Sequence, residues 1–165
     1  MAGGRQGAPG FDPSRLRAAR EAAQLTQGAL AEAAKVHVNS IREWEAGRQV
    51  PRVETVALLA RVLHISPADL LEPPPDGSTQ TLQHMRAAAG KSQKQIAEAA
   101  GMLRNTYSAV ERGETATLSY ADVHGLARAF GISPEQLLAA HTASRSAYLG
   151  QDPRPHGNGR GQTDS

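Results

Sequence analysis

Apolar residues recur three and four positions apart through most of this chain, with charged and amide side chains filling the positions between. Leu16, Ala19 and Ala23 form one such stripe, Ile41 and Trp44 another, and Val56, Leu59 and Leu63 a third. That spacing puts the apolar residues on one face of a helix. No stretch alternates apolar and polar residues over enough positions to build a sheet. The ends of the helices are marked too. Pro13 suits a first turn, and Thr26 and Ser92 are good N-caps for short helices that carry Leu30 and Ile96 inward. Gly47 and Gly113 stop a third helix through a left-handed residue. Ser66-Pro67 and Ser133-Pro134 then cap a short final helix. The pattern predicts an all-α chain.

The pattern also occurs twice. A shift of 66 residues pairs Leu16 with Leu82, Arg20 with Arg86, Gln27 with Gln93, Asn39 with Asn105, Glu45 with Glu111 and Gly47 with Gly113. One inserted residue near Thr115 to Leu118 makes the shift 67, and Ile65, Ser66, Pro67, Leu70 and Leu71 then fall on Ile132, Ser133, Pro134, Leu137 and Leu138. An Ala-rich chain can repeat Ala-Glu-Ala-Ala by chance, but not Arg, Gln, Asn, Glu, Gly and Pro in one order.

The organisation expected is a first domain over residues 11–71 and a second over 80–142. Between them lies a Pro-rich linker over 72–79 (EPPPDGST), whose prolines favour a stiff extended spacer of about 25 Å. Residues 1–10 and 143–165 have few apolar anchors and read as disordered tails, with Arg145, Arg154 and Arg160 solvated rather than bound to phosphate. A domain of about 60 residues buries only ~60% of its unfolded surface. Each half is therefore marginal alone and gains from packing on its neighbour or on a partner.

Composition narrows the classes of function. The chain has no cysteine, which removes disulfides, thiolate metal sites and cysteine nucleophiles and fits a cytoplasmic home. No apolar run approaches the ~18 residues that span a bilayer, and Met1 to Gly10 lacks the apolar core of a signal peptide. A soluble, unexported protein with no membrane partner is expected. Net charge is only +2, so the placement of Arg and Lys matters more than their total. There is no nucleophile paired with a base, no phosphate loop and no His-Glu-His cluster. The expectation is no enzyme, no cofactor and no metal.

The run L-x-x-A-R-x-A-A-x-L-T-Q-x-x-L-A-E-A-A from Leu16, followed by V-x-x-N-S-I-R-x-W-E-x-G to Gly47, resembles the Cro and phage-repressor (Xre) class of helix-turn-helix regulators. The second copy, S-Q-K-Q-I-A-E-A-A-G-M-L-R-N-T-Y-S-A-V-E-R-G, is similar to it over the same span. The resemblance covers about 125 of the 165 residues. It implies two tandem five-helix domains of the lambda-repressor type and double-stranded DNA as the partner. It also implies that Arg20 pairs with Glu45, and Arg86 with Glu111, to tie the first helix of each domain to the end of the third. Two positions depart from the family pattern. Lys35 stands in a turn where the second copy has Gly101, and Leu118 and Ser119 replace the counterparts of Pro51 and Arg52.

A short helix fits the major groove, and only side chains near its N-terminal end, away from the core, reach base edges. In the first copy those are His37, Val38, Asn39, Arg42 and Glu43. In the second they are Leu103, Arg104, Asn105, Ser108 and Ala109. Arg matches guanine, Asn matches adenine, and an apolar side chain such as Val38 meets a thymine methyl. The two copies therefore read different bases. Phosphate contacts are expected from the start of the second helix, with Gln27 or Gln93, and from Arg48, Arg52, Lys91, Lys94 and Arg112. Trp44 and Tyr107 are assigned to the core. The rival reading is a protein-interaction adapter or antitoxin-like module, with the second domain serving dimerisation and a second copy of the chain or another protein as its partner.

Overall fold

The computed structural model describes residues 7–73 and 79–150, and among them it is helical, with no strand beyond one isolated bridge. The first half holds α1 (Pro13–Ala22), α2 (Gln27–Ala33), α3 (Val38–Glu45), α4 (Val53–Val62) and a 3-10 turn at Pro67–Leu70. The second holds α5 (Leu82–Ala88), α6 (Gln93–Ala100), α7 (Arg104–Arg112), α8 (Tyr120–Phe130) and α9 (Pro134–Gly150).

The caps lie where short polar side chains precede apolar stripes. Thr26 Oγ1 accepts from the Ala29 N–H at 3.0 Å and Ser92 Oγ from the Gln95 N–H at 3.2 Å, each satisfying a donor that a helix start leaves unpaired. Gly47 and Gly113 adopt φ of +70° and +79°. Lys35 also lies in the left-handed region, at φ +52°, where its counterpart Gly101 has +74°. The same asymmetry holds at two more helix ends, since Gln24 and His64 match Gly90 and Gly131. The first half therefore carries side chains at three left-handed positions where the second has glycine.

Each half has its own core. Leu16, Leu30, Ile41, Trp44, Val56 and Leu59 pack in the first, and Leu82, Ile96, Tyr107, Val110, Leu126 and Leu137 in the second. Both Trp44 and Tyr107 are buried.

Three features differ from the sequence expectation. First, order does not stop at residue 142, and the last helix of the second half is not short. α9 runs on to Gly150 because Leu137, Ala140, His141 and Ser144 form a buried stripe at helical spacing. Half of that stripe is polar, so a search for apolar anchors misses it. Ser144 Oγ accepts the first N–H of α5 from Leu82 at 2.9 Å, and Arg145 Nη1 donates to the Gly113 carbonyl at 3.3 Å. Arg145 is thus part of the fold. Arg154 and Arg160 lie outside the described residues, as do positions 1–6.

Second, residues 7–10 are placed. Ala8 is buried and its N–H donates to the Pro51 carbonyl at 2.7 Å, while Phe11 pairs with Leu71 in the isolated bridge.

Third, the two halves are not held apart by a spacer. Positions 74–78 of the Pro-rich segment lie outside the described residues, but α5 packs directly on the 3-10 turn of the first half. Ala87 of α5 is buried within the first half's core.

Candidate nucleic-acid interface

α2 and α3 meet across a turn at Lys35-Val36, and α6 and α7 across Gly101-Met102. Ile41 and Trp44 point α3 into its core, and Tyr107, Val110 and Glu111 do the same for α7. Asn39 and Arg42 are left exposed on α3, and Arg104 and Asn105 on α7.

The base-reading candidates divide by what already holds them. Arg42 Nη1 donates to Asn39 Oδ1 at 3.1 Å, so these two form one hydrogen-bonding unit. Glu43 is held from behind by a two-point fork from Arg48, at 2.7 and 2.8 Å, which draws its carboxyl below the usual range. Val38 is half-buried against the core. His37 is exposed at the N-cap of α3 and makes no side-chain cap bond. In the second half, Ser108 Oγ accepts from Arg112 Nη1 at 2.6 Å. Ala109 is half-buried, whereas Leu103 is 77% exposed at the N-cap of α7. Among the described residues, the side chains of His37, Arg52, Arg104 and Asn105 have no hydrogen-bond or ion-pair partner.

The phosphate candidates divide as well. Arg52 is exposed at the N-cap of α4. Lys94 is exposed and 3.8 Å from Glu98. Lys91 instead turns inward, its Nζ donating to the Ala129 carbonyl near the end of α8 at 3.1 Å. Arg112 grips Glu114 through two bonds at 2.7 and 3.0 Å and is the more neutralised for it.

Behind each outward face lies the same partly buried triad. Arg20 Nε and Nη2 donate to the two oxygens of Glu45 at 2.6 and 3.1 Å, and Gln27 Nε2 donates to Glu45 Oε2 at 2.8 Å. Burial pushes the Glu45 carboxyl up, but the bonds from Arg20 and Gln27 outweigh it and hold the group below its ordinary range. In the second half Arg86 and Gln93 converge on Glu111, with the Gln93 bond at 2.6 Å. The Tyr107 hydroxyl adds a further bond to Glu111 at 3.1 Å, and burial pushes its phenol well up. The Gln27 amide keeps one N–H for an external acceptor, because its other hydrogen is used by the glutamate, whereas Gln93 Nε2 also donates to Ser108 Oγ at 3.4 Å.

Sequence reasoning passed over Thr106. It is exposed on the first turn of α7, between the two polar candidates Asn105 and Ser108, and its hydroxyl both donates and accepts. Its counterpart Ser40 is half-buried, so comparison of the copies does not single it out.

A helix-turn-helix family matches residues 16–70, and a helix-turn-helix domain family matches residues 79–140. The chain is a tandem helix-turn-helix protein. The helix pairs α2–α3 and α6–α7 lie within the two matched spans, and helix-turn-helix domains indicate a DNA-binding regulator. No curated protein and no solved structure matches it. No helix among the described residues is long and apolar enough to cross a membrane.

Proposed function

We propose that this protein is a transcriptional regulator of the Cro and phage-repressor (Xre) type, a repressor without catalytic activity, that reads double-stranded DNA in the major groove with α3 and α7. The observation that carries this reading is the outward face of each third helix. Asn39 with Arg42, and Arg104 with Asn105, are exposed on helices whose other faces are anchored in a core. Arg and Asn are the side chains that recognise guanine and adenine by paired hydrogen bonds. Arg52, Lys94, Gln27 and Gln93 supply backbone contacts that set affinity without reading sequence. Because the readers differ between the copies, one chain covers an asymmetric site of two half-sites about one helical turn apart. Repression needs only occupancy of that site. A cytoplasmic location follows from the same reading.

Selection of bound DNA from a random pool, followed by footprinting and measurement of stoichiometry, tests it. One chain protecting an asymmetric site supports the proposal. Two chains on a palindrome, or protection by the first domain alone, overturns the single-chain version.

A second reading gives the second domain a protein partner or a second copy of the chain. Leu103 favours it, being an apolar side chain exposed where the first domain has His37. Arg112 and Lys91 favour it too, because both are already engaged within the domain. Sedimentation of the full chain without DNA separates the two readings. A dimer broken by Leu103→Asp supports the second, and a monomer supports the first.

A further inference from the structure

The first helices of the two copies are used differently. In α1 only one stripe is covered, through Leu16 and Arg20, and the positions Ala18, Glu21 and Ala22, with Gln24 just after the helix, are exposed. Glu21 there pairs in solvent with Arg17 at 2.9 Å. A shift of 66 residues carries those four positions to His84, Ala87, Ala88 and Gly90. In α5 and the turn that follows it none of the four is exposed, and Ala87 is 0% exposed among first-domain residues.

α5 thus has two covered faces. Leu82, Met85 and Arg86 turn into the second domain. His84, Ala87 and Ala88, at i, i+3 and i+4, form a second stripe toward the first domain, where Ala88 also packs on the core. The approach is close. A Cβ on Gly90 would lie 3.0 Å from Ala57 Cβ and 3.0 Å from Pro67 Cγ, and one on Gly10 would lie 2.8 Å from the His84 ring. The Gly10 side of the seam is itself pinned, since Glu72 N–H donates to the Gly10 carbonyl at 2.6 Å. Small residues appear in the second copy where the first copy has Glu21 and Gln24, and they appear at the contact.

We propose that α5 is a shared helix that locks the second domain onto the first and fixes the register between α3 and α7. His84, Ala87, Ala88 and Gly90 therefore determine DNA specificity by position: they set the spacing between the two half-sites without touching DNA. This rests on the reading that both domains engage one DNA site. A flexible tether would supply the second half-site at an effective concentration that varies slowly with spacing. A packed seam permits one spacing and penalises the rest.

The test uses residues that the equivalent helix already tolerates. Ala87→Glu and Gly90→Gln each install the side chain found at the matching position of the first copy, where Glu21 and Gln24 are compatible with a folded domain. The full-length wild type and both variants, with helicity checked by circular dichroism, are titrated with duplexes carrying both selected half-sites at stepped spacings, and with duplexes carrying one half-site. Solution X-ray scattering without DNA is recorded in parallel. The expected result is a sharp optimum of spacing for the wild type and a loss of about tenfold or more at that optimum in the variants. Single half-site affinity stays unchanged, and the radius of gyration of the variants increases. A flat spacing profile for the wild type, or identical profiles for wild type and both variants, overturns the proposal. If the wild type binds no DNA, the functional reading fails by itself, and the seam is then decided by scattering: equal radii for wild type and variants overturn it.

Discussion

Gln27 donates its side-chain amide to the same Glu45 carboxylate that Arg20 holds, joining a residue at the start of α2 to the buried anchor of α3. The contact fixes which way the remaining Gln27 N–H points, so the amide is oriented before any phosphate arrives. Gln27→Ala is expected to weaken binding to all DNA sequences by a similar factor. Sequence preference stays unchanged, because a phosphate contact carries no base information. Titration of specific and random duplexes at several salt concentrations checks this. A change in preferred sequence would count against the role.

Arg42 and Arg104 are expected to behave otherwise. Replacing either with Ala should cost about 1–3 kcal/mol on the cognate site and relax preference at one or two base pairs. The positions affected should differ between the variants, since the two helices carry different neighbours. Repeating the DNA selection with each variant gives the answer directly. For Arg42 the loss extends to Asn39, whose carbonyl oxygen Arg42 now holds.

Acid should destabilise the first domain through Glu45. Its folded-state carboxyl lies below the ordinary value of 4.5, despite burial, because of the bonds from Arg20 and Gln27. The unfolded chain therefore binds the proton more tightly. The stabilisation is complete above the unfolded value and is lost as pH falls through the lower native value. Thermal unfolding followed from neutral to acid pH should show that loss, and Glu45→Gln should flatten it. At neutral pH the same variant should be less stable by about 3 kcal/mol, because it leaves a buried Arg20 charge without its partner.

Much of this architecture is legible in the sequence because it depends on repetition and periodicity. The pairing of Leu16 with Leu82 and of Gly47 with Gly113 by itself defines two similar scaffolds. The stripes through Ile41 and Trp44, or Tyr107 and Val110, leave one face of each third helix free. What stays hidden depends on burial of residues that are not strongly apolar. His141 and Ser144 form half of the stripe that carries α9 beyond residue 142, and they do so by hydrogen bonds to Thr115 and Leu82. Ala87 and Gly90 read as ordinary helix and turn residues. Only the contrast with Glu21 and Gln24 reveals that they face something. The engagement of Arg48 and Arg112 by Glu43 and Glu114 is likewise invisible from spacing, since any exposed Arg looks available.

Lys35 offers a direct measure of what the first domain gives up at its turn. A non-glycine residue at φ +52° costs about 1–2 kcal/mol in backbone sterics. Its side chain is exposed and, among the described residues, makes no hydrogen bond or ion pair that would offset this. Lys35→Gly is therefore expected to stabilise the first domain, by less than that full amount because glycine also loosens the unfolded chain. A rise in the denaturation midpoint at constant m-value would show it. The reverse exchange, Gly101→Lys, should destabilise the second domain.

Gly125 sets propensity against packing. It sits in the middle of α8, where replacement by Ala ordinarily gains about 0.5–1 kcal/mol from reduced backbone freedom. A Cβ there would lie 2.4 Å from the Ala100 carbonyl oxygen, at the end of α6. That neighbour is backbone, and it cannot move aside without shifting the helix or the turn that leads into α7. The cost of such overpacking is about 1–3 kcal/mol, which exceeds the propensity gain. Gly125→Ala should therefore destabilise the second domain, and the strain should reach α7 through the α6–α7 turn. Leu58, at the matching position of α4, shows that the first domain tolerates a side chain there, so the penalty belongs to the closer approach of α6 and α8 rather than to the fold in general. Chemical denaturation resolves the sign. A stabilised Gly125→Ala protein would mean that the two helices separate readily, and that α7 is held less firmly than α3.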